Sequence, residues 1–188
     1  MRFGLMVSCV LATAAWAAER PCGACHPVEH AQWAGSRHAR AFTNANFSAS
    51  YAQAPSPWCL TCHQPEGRGS EGVGCSSCHL APHTGGRVRC DGCHQFDLPT
   101  RATRHLERPR SAGVALQDTV VEHRALGEGP CAGCHLARGG HAFPGAYDVE
   151  WLRASVRHTA CVARDGAVEL RISSRGVGHH LPTGDPFR

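Results

Sequence analysis

One pentapeptide pattern, Cys-x-x-Cys-His, occurs five times in this chain of 188 residues. The cysteine pairs are Cys22 and Cys25, Cys59 and Cys62, Cys75 and Cys78, Cys90 and Cys93, and Cys131 and Cys134. The histidines that close the five copies are His26, His63, His79, His94 and His135. Ten of the twelve cysteines therefore belong to one repeated local arrangement. The fold must place two thiols and one imidazole close together at each of the five copies.

Two thiols at this spacing are also found in zinc knuckles and in redox-active dithiols. The histidine that directly follows the second cysteine in every copy favours haem attachment over these two alternatives. In a c-type site the two thiols form thioethers with the haem vinyl groups, and the next residue, His, binds the iron. Histidine makes up 14 of 188 residues, so five chance matches have odds on the order of one in a million. The sequence therefore predicts five covalently bound haem c groups.

The first 17 residues have the composition of a signal peptide. Arg2 supplies the positive start, residues 3–11 are apolar, and Ala15-Trp16-Ala17 matches a small-residue cleavage site before Ala18. No later segment approaches the length of a membrane-spanning helix. We therefore expect an exported protein without a membrane span. A bacterial periplasm is the expected location, because thioether attachment there proceeds on thiols kept reduced outside the cytoplasm.

Composition and charge indicate how such a chain folds and what it binds. Gly and Pro are abundant, with 21 and 12 copies, and aromatic residues are 6% of the chain. We expect a mainly irregular fold with a few α-helices, wrapped round a haem core that replaces a side-chain core. All nineteen basic residues are Arg, a residue suited to pairing with haem propionates. They are dispersed and no nucleic-acid-binding motif is present, so the expected partners are other redox proteins, an electron donor and an acceptor.

Local patterns predict few regular elements. Val168, Leu170 and Ile172 alternate with polar residues after the turn signal Asp165-Gly166, which predicts a β-hairpin near 160–174 that needs a surface to pack on. The predicted helices are 27–45, 113–126 and 148–158, the last with Asp148 as its N-cap. Most of 64–92 is predicted to be loop, and 99–112 is predicted to be a linker. The predicted domains are a pentahaem domain at 18–158 and a hairpin tail at 159–188.

Several further stretches support a resemblance to the periplasmic multihaem c-type cytochromes. These stretches are Trp33-x-x-Ser36-x-His38-Ala39, Gln117-Asp118-Thr119, His141-x-Phe143-x-Gly145 and Gly178-His179-x-x-Pro182-Thr183-Gly184. The group includes small tetrahaem electron carriers and the haem cores of pentahaem nitrite reductase and octahaem hydroxylamine oxidoreductase. In such relatives β structure follows the Pro-Thr-Gly segment, so the tail is interpreted as the start of a truncated β region.

The chain departs from the enzymes of that group at two points. Their nitrite reductases use a Cys-x-x-Cys-Lys site, and this sequence contains no Lys. Their hydroxylamine oxidoreductases carry a haem–tyrosine crosslink, and the two tyrosines here, Tyr51 and Tyr147, lie in no comparable context. The resemblance therefore implies an electron carrier. An enzyme acting on a small nitrogen or sulfur compound at an open haem is the alternative.

Nine histidines outside the motifs are candidates for the second axial ligand of the irons. His38, His141 and His179 lie in the stretches that carry the resemblance. His83 follows His79 too closely to bend back to the same haem but could reach a neighbour, and His123 lies on a predicted helix. These five are the predicted distal ligands, with His105 and His158 as further candidates and surface or structural roles favoured for His30 and His180. Cys161 is either a small packed residue or half of an intermolecular disulfide.

Overall fold

The computed structural model describes residues 21–67, 69–79, 90–97, 115–126, 129–137 and 140–183. Within these ranges it contains eight α-helices: α1 (Pro27–Ala34), α2 (Ala45–Gln53), α3 (Pro57–His63), α4 (Cys75–Cys78), α5 (Asp91–His94), α6 (Thr119–Leu126), α7 (Cys131–His135) and α8 (Val149–Ser155). Four strands, β1 (Phe96–Asp97), β2 (Ala115–Gln117), β3 (Val156–Val162) and β4 (Val168–Ser174), form two antiparallel pairs. The fold is thus a mixture of short helices, two small hairpins and irregular segments, as expected in its coarse features. The predicted linker at 99–112 and all of 80–89 lie outside the described residues.

The helix predicted over 27–45 is wrong beyond its first half. Helix α1 ends at Ala34, and Gly35 caps it. The Arg40 guanidinium donates to the Gly35 carbonyl, which satisfies part of the exposed helix end. A second helix, α2, begins after Asn44, whose side chain accepts hydrogen bonds from the Asn46 and Phe47 amides. The N-cap preference of Asn was the sequence signal for this break.

The segment predicted as helix over 113–126 divides into a strand and a helix. Strand β2 pairs with β1, with Gln117 opposite Phe96, and α6 begins two residues after β2 ends. The pairing partner lies about twenty residues earlier in the chain, so local periodicity did not reveal it. Non-local backbone pairing therefore decided the conformation of Ala115–Gln117.

The C-terminal part follows the sequence prediction more closely. The Asp148 carboxylate accepts a hydrogen bond from the Trp151 amide, 2.9 Å away, as predicted for the α8 N-cap. The helix ends at Ser155, three residues earlier than predicted, because residues from Val156 onward pair with β4. The predicted hairpin is confirmed, with Val162 opposite Val168 at its turn end.

Buried side chains are few in the described ranges. They are the apolar Ala39 and Leu116 and the polar Ser36 and Gln117. Two small apolar side chains remove too little surface from water to hold a chain of this length together. The apolar residues of the hairpin are also exposed, Val162 by 74% and Val168 by 69%, so the expected packing of the hairpin is not seen among these residues. The same ranges include no helix long and apolar enough to cross a membrane.

Candidate metal centre

Each Cys-x-x-Cys-His motif lies on a single short helical turn. Four copies coincide with α3, α4, α5 and α7, and the first begins with a 3-10 turn at Cys22–Ala24. In a helical turn, residues three apart project from the same side of the backbone, and the next residue follows round the turn. The fold therefore presents two thiols and an adjacent imidazole together at every copy.

Three histidines of the motifs each face a histidine from elsewhere in the chain. The pairs, with ring-centroid distances and interplanar angles, are His38 and His94 at 6.1 Å and 80°, His79 and His141 at 6.3 Å and 32°, and His135 and His179 at 6.3 Å and 7°. Each pair joins one motif histidine to one predicted distal ligand. Long stretches of sequence separate the partners, so tertiary structure alone brings them together.

The centroid distances can be compared with those required by an iron between two imidazoles. A metal–imidazole bond is about 2.0 Å long, and each ring atom lies about 1.1 Å from the ring centroid, so the two centroids would be about 6.2 Å apart. The interplanar angle is not fixed by ligation, because either ring can rotate about its own metal–nitrogen bond. All three pairs therefore fit one iron each in centroid separation.

Hydrogen bonds to ring Nδ1 atoms set the tautomer of several of these histidines. His63 Nδ1 lies 2.9 Å from the Ala41 carbonyl oxygen, and His135 Nδ1 lies 3.0 Å from that of Pro144. A carbonyl can only accept, so each Nδ1 carries the proton. A neutral imidazole protonated at Nδ1 has a lone pair at Nε2, which is the nitrogen available to a metal.

His179 is held in the same way by its own neighbourhood. Its Nδ1 lies 2.7 Å from the His180 carbonyl oxygen. The Glu122 carboxylate on α6 accepts hydrogen bonds from the Thr183 hydroxyl at 2.6 Å and the His180 amide at 3.1 Å. The Glu122 side chain is only 15% exposed, so these bonds are partly shielded from water. Helix α6 thus anchors the loop that carries His179 towards His135.

His141 is positioned by α1 and by an unusual neighbour. The Gln32 side-chain oxygen accepts a hydrogen bond from the His141 amide at 3.0 Å. The Phe143 ring lies 4.6 Å from the His38 ring and 5.9 Å from the His141 ring, edge-on to both. Phe143 has a φ of 50°, a left-handed conformation that is costly for a bulky residue and needs support from its surroundings. Phe143 lies in the motif His141-x-Phe143-x-Gly145, whose spacing alone does not indicate that Phe143 contacts His38.

His123 has a different environment from the other predicted distal ligands. Its Nδ1 lies 2.7 Å from the Gly178 carbonyl oxygen, and its Nε2 lies close to the Gly129 carbonyl oxygen. Both ring nitrogens therefore face backbone acceptors, and the ring bridges two loops. The ligand role of His123 stays a prediction.

The remaining predicted histidines are placed as follows. His83 and His105 lie outside the described residues. His158 is exposed on β3, opposite Ile172. The His30 ring lies 5.3 Å from the Trp33 ring and covers Gly23, where an added Cβ would come within 2.8 Å of it. Gly23 is thus needed inside the first motif for the approach of His30.

Thiols of different motifs also meet. The thiols of Cys62 and Cys93, of Cys75 and Cys22, and of Cys90 and Cys131 lie close enough to perturb each other electrostatically. As a free thiol, Cys93 donates to the Cys62 sulfur and lowers the pKa of Cys62 to about 6. Burial raises the pKa of Cys90 to about 11. The second motif therefore adjoins the fourth, the third adjoins the first, and the fourth also adjoins the fifth.

A cavity of about 500 Å³ lies beside His179. Its lining residues are Leu126, Ile172, Ser173, Ser174, Val177, His179, His180 and Leu181. The size falls within the range of sites for small ligands and prosthetic groups, and several of the lining side chains are apolar. One of the three histidine pairs thus borders an open cleft whose lining is both apolar and polar.

Among the described residues, no group of three or more His, Cys, Asp or Glu side chains converges on a common point. A haem iron takes at most two ligands from the protein, so a pair is the relevant unit for a haem site. Comparison of the chain with protein-family models, with curated proteins and with solved structures finds no match. The functional argument therefore depends on the motifs and on the geometry of these pairs.

Proposed function

We propose that this protein is a five-haem c-type cytochrome that passes single electrons between redox partners outside the cytoplasm. The observation that carries the proposal is the set of three histidine pairs. Each pair combines a Cys-x-x-Cys-His histidine with a predicted distal histidine, at 6.1–6.3 Å between ring centroids. The five motifs supply the thiols for covalent attachment at the same places.

The narrow spread of these distances supports ligation over ordinary ring packing. Packed aromatic rings occur over a wide range, about 4.5–7 Å between centroids. The three pairs differ by only 0.2 Å and lie within about 0.1 Å of the separation that one shared iron requires. The predicted distal histidines of the three pairs, His38, His141 and His179, come from three separate parts of the chain. A single local feature therefore does not explain why the three centroid distances agree.

The residues of the chain have distinct tasks in this proposal. A bound haem supplies a one-electron Fe(III)/Fe(II) couple. The paired thiols would hold the haem covalently, and at the three paired sites the two histidines would ligate its iron and leave no position for oxygen or substrate. The carbonyl acceptors of Ala41 and Pro144 orient His63 and His135 through their Nδ1 protons. The polypeptide thus orients the groups and sets their potentials, and it performs no bond-making step on a substrate.

Contacts between motifs support electron transfer among several sites. Cys62 adjoins Cys93, Cys90 adjoins Cys131, and Cys75 adjoins Cys22. Because thioether bonds tie each haem edge to its cysteines, motifs in contact imply neighbouring haems. The short sequence spacing of the second, third and fourth motifs favours the same conclusion. A periplasmic location and two redox-protein partners complete the proposal, on the basis of the predicted signal peptide.

The test is to count haems and to determine their spin state in the exported protein. Alkaline pyridine haemochrome analysis with intact mass should give five haems, each adding roughly 620 Da, on a chain that begins near Ala18. An EPR spectrum of the oxidised protein should contain low-spin ferric haem only. Zinc in place of haem, or fewer than four haems, would refute the cytochrome. A full equivalent of high-spin haem that binds nitrite or hydroxylamine would favour the enzyme alternative.

A further inference from the structure

The Gln117 side chain contacts a ring nitrogen of His94, one of the paired motif histidines. Gln117 ends strand β2, is only 5% exposed, and lies opposite Phe96 in the antiparallel pair. His94 precedes Phe96 by two residues and is the last residue of α5. The β1–β2 pairing therefore brings the Gln117 amide to the His94 ring.

The contact is a hydrogen bond between Gln117 Nε2 and His94 Nδ1, 2.8 Å apart. If His94 binds iron through Nε2, then Nδ1 carries the proton and must donate. The acceptor in that state is the Gln117 side-chain oxygen, which a flip of the amide places where its nitrogen lies. The same buried side chain can therefore supply the acceptor that a ligating His94 requires.

The support of Gln117 is itself built from side chains. The Gln95 amide donates to the Asp118 carboxylate at 2.7 Å, and its oxygen accepts from the Val121 amide at 3.1 Å. Gln95 directly follows His94 in the chain, and Asp118 directly follows Gln117. The two neighbouring residues therefore lock the register in which Gln117 faces His94.

The Nδ1 atoms of two other motif histidines form hydrogen bonds with backbone carbonyl oxygens. His63 and His135 donate to the Ala41 and Pro144 carbonyls, and side-chain substitution leaves such acceptors in place. A hydrogen bond from Nδ1 to an acceptor increases the electron density of the imidazole and stabilises the ferric state of the attached iron. At His94 alone among these three motif histidines, this effect depends on the identity of one side chain.

We propose that Gln117 is a positioning residue that fixes the tautomer of His94 and sets the reduction potential of the iron bound by His94 and His38. The inference rests on the proposed function. Its consequence is that the reduction potential of one of the five haems depends on the buried side chain of Gln117.

The experiment compares Gln117→Glu and Gln117→Leu with the unaltered holoprotein by spectroelectrochemical titration and EPR. Gln117→Glu keeps an acceptor, now charged, and should shift one midpoint potential downward and lower the largest g value of one low-spin haem. Gln117→Leu removes the acceptor and should shift the same potential upward. The other four potentials should stay where they are. Gln53→Leu, on the exposed surface of α2, is the matched control and should shift none.

The outcomes separate the inference from the proposed function. A holoprotein without covalent haem would overturn both. Five haems with unchanged potentials in both Gln117 variants would overturn the role of Gln117 alone, and so would equal shifts in all five potentials, which indicate a general structural change. If Gln117→Leu does not fold, Gln117→Glu alone provides the test. If Gln117→Glu then shows no downward shift of one midpoint potential, the inference is overturned.

Discussion

The imidazole rings of His135 and His179 lie nearly parallel, at an interplanar angle of 7°, with centroids 6.3 Å apart. His135 closes the fifth Cys-x-x-Cys-His motif, whereas His179 lies more than forty residues later, beyond the hairpin. The loop from Gly178 to Thr183 reaches back to α6 through Glu122, and this contact anchors the loop that carries His179. The centroid separation is close to the value expected for two imidazoles bound to one iron.

Replacing a distal histidine should open one iron. We expect His179→Ala, His141→Ala and His38→Ala each to produce one equivalent of high-spin ferric haem and to allow carbon monoxide to bind after reduction. The physical reason is the loss of the sixth ligand on one face of one ring. EPR and carbon monoxide difference spectra measure both effects. His158→Ala, on exposed β3, is the control and should remain low-spin. A wholly low-spin spectrum from any of the three would remove that residue from the ligand set.

Glu122 should be needed for the full occupancy of His179 as a ligand. Glu122→Ala leaves the Thr183 hydroxyl and the His180 amide without their partly buried acceptor, a loss of about 1–3 kcal/mol. We expect a fraction of high-spin haem in this variant, increasing with temperature as the loop loosens. Glu122→Gln keeps an oxygen acceptor and should show a smaller fraction. Variable-temperature EPR and optical spectra provide the measurement, and identical spectra for both variants would contradict the anchoring role.

Asp148 should stabilise α8 by capping its first turn. Asp148→Ala removes the acceptor of the Trp151 amide and should lower the free energy of unfolding by about 1 kcal/mol. Trp151 contacts the His135 ring at 5.9 Å, so the absorption of one haem should also change slightly. Guanidinium titration followed by far-UV circular dichroism measures the stability. Glu150→Ala is the control, because Glu150 forms an exposed ion pair with Arg153 worth about 0.5 kcal/mol or less. Equal losses in the two variants would argue against the cap.

Chain made without haem should fail to fold cooperatively. The described part of the polypeptide buries only Ala39 and Leu116 as apolar side chains, which cannot offset the conformational entropy of the chain. Expression without haem-attachment enzymes should yield protein that is digested rapidly by protease and melts without a sharp transition. The holoprotein should resist the same treatment and unfold in a distinct transition. A haem-free chain with a sharp calorimetric transition would show that the polypeptide has a core of its own.

The sequence predicted those features that depend on residues close together in the chain. The hairpin followed from alternation of apolar and polar residues and from Asp165-Gly166, and the structure forms it from Val156 to Ser174. The Asp148 cap followed from a residue preference within one turn. The five motifs were also local, because each needs only one turn of helix to present its thiols and imidazole.

The errors arose where contacts distant in sequence decided the local structure. Residues 115–117 satisfy part of a helical pattern, yet they pair with β1 as a strand. Helix α1 ends at Ala34, where Gly35 and the Asn44 cap divide the predicted long helix into two.

By itself, the sequence determined where the reactive groups lie, because thiol and imidazole spacing within one turn is a local property. Which motif histidine faces which distal histidine was decided by tertiary structure alone. His38 follows the first motif but faces the histidine of the fourth, and His141 follows the fifth but faces that of the third. No periodicity encodes such crossings, since they depend on loop paths and on hydrogen bonds such as those of Gln32 and Glu122. The role of Gln117 emerged for the same reason: only the β1–β2 pairing brings its amide to His94.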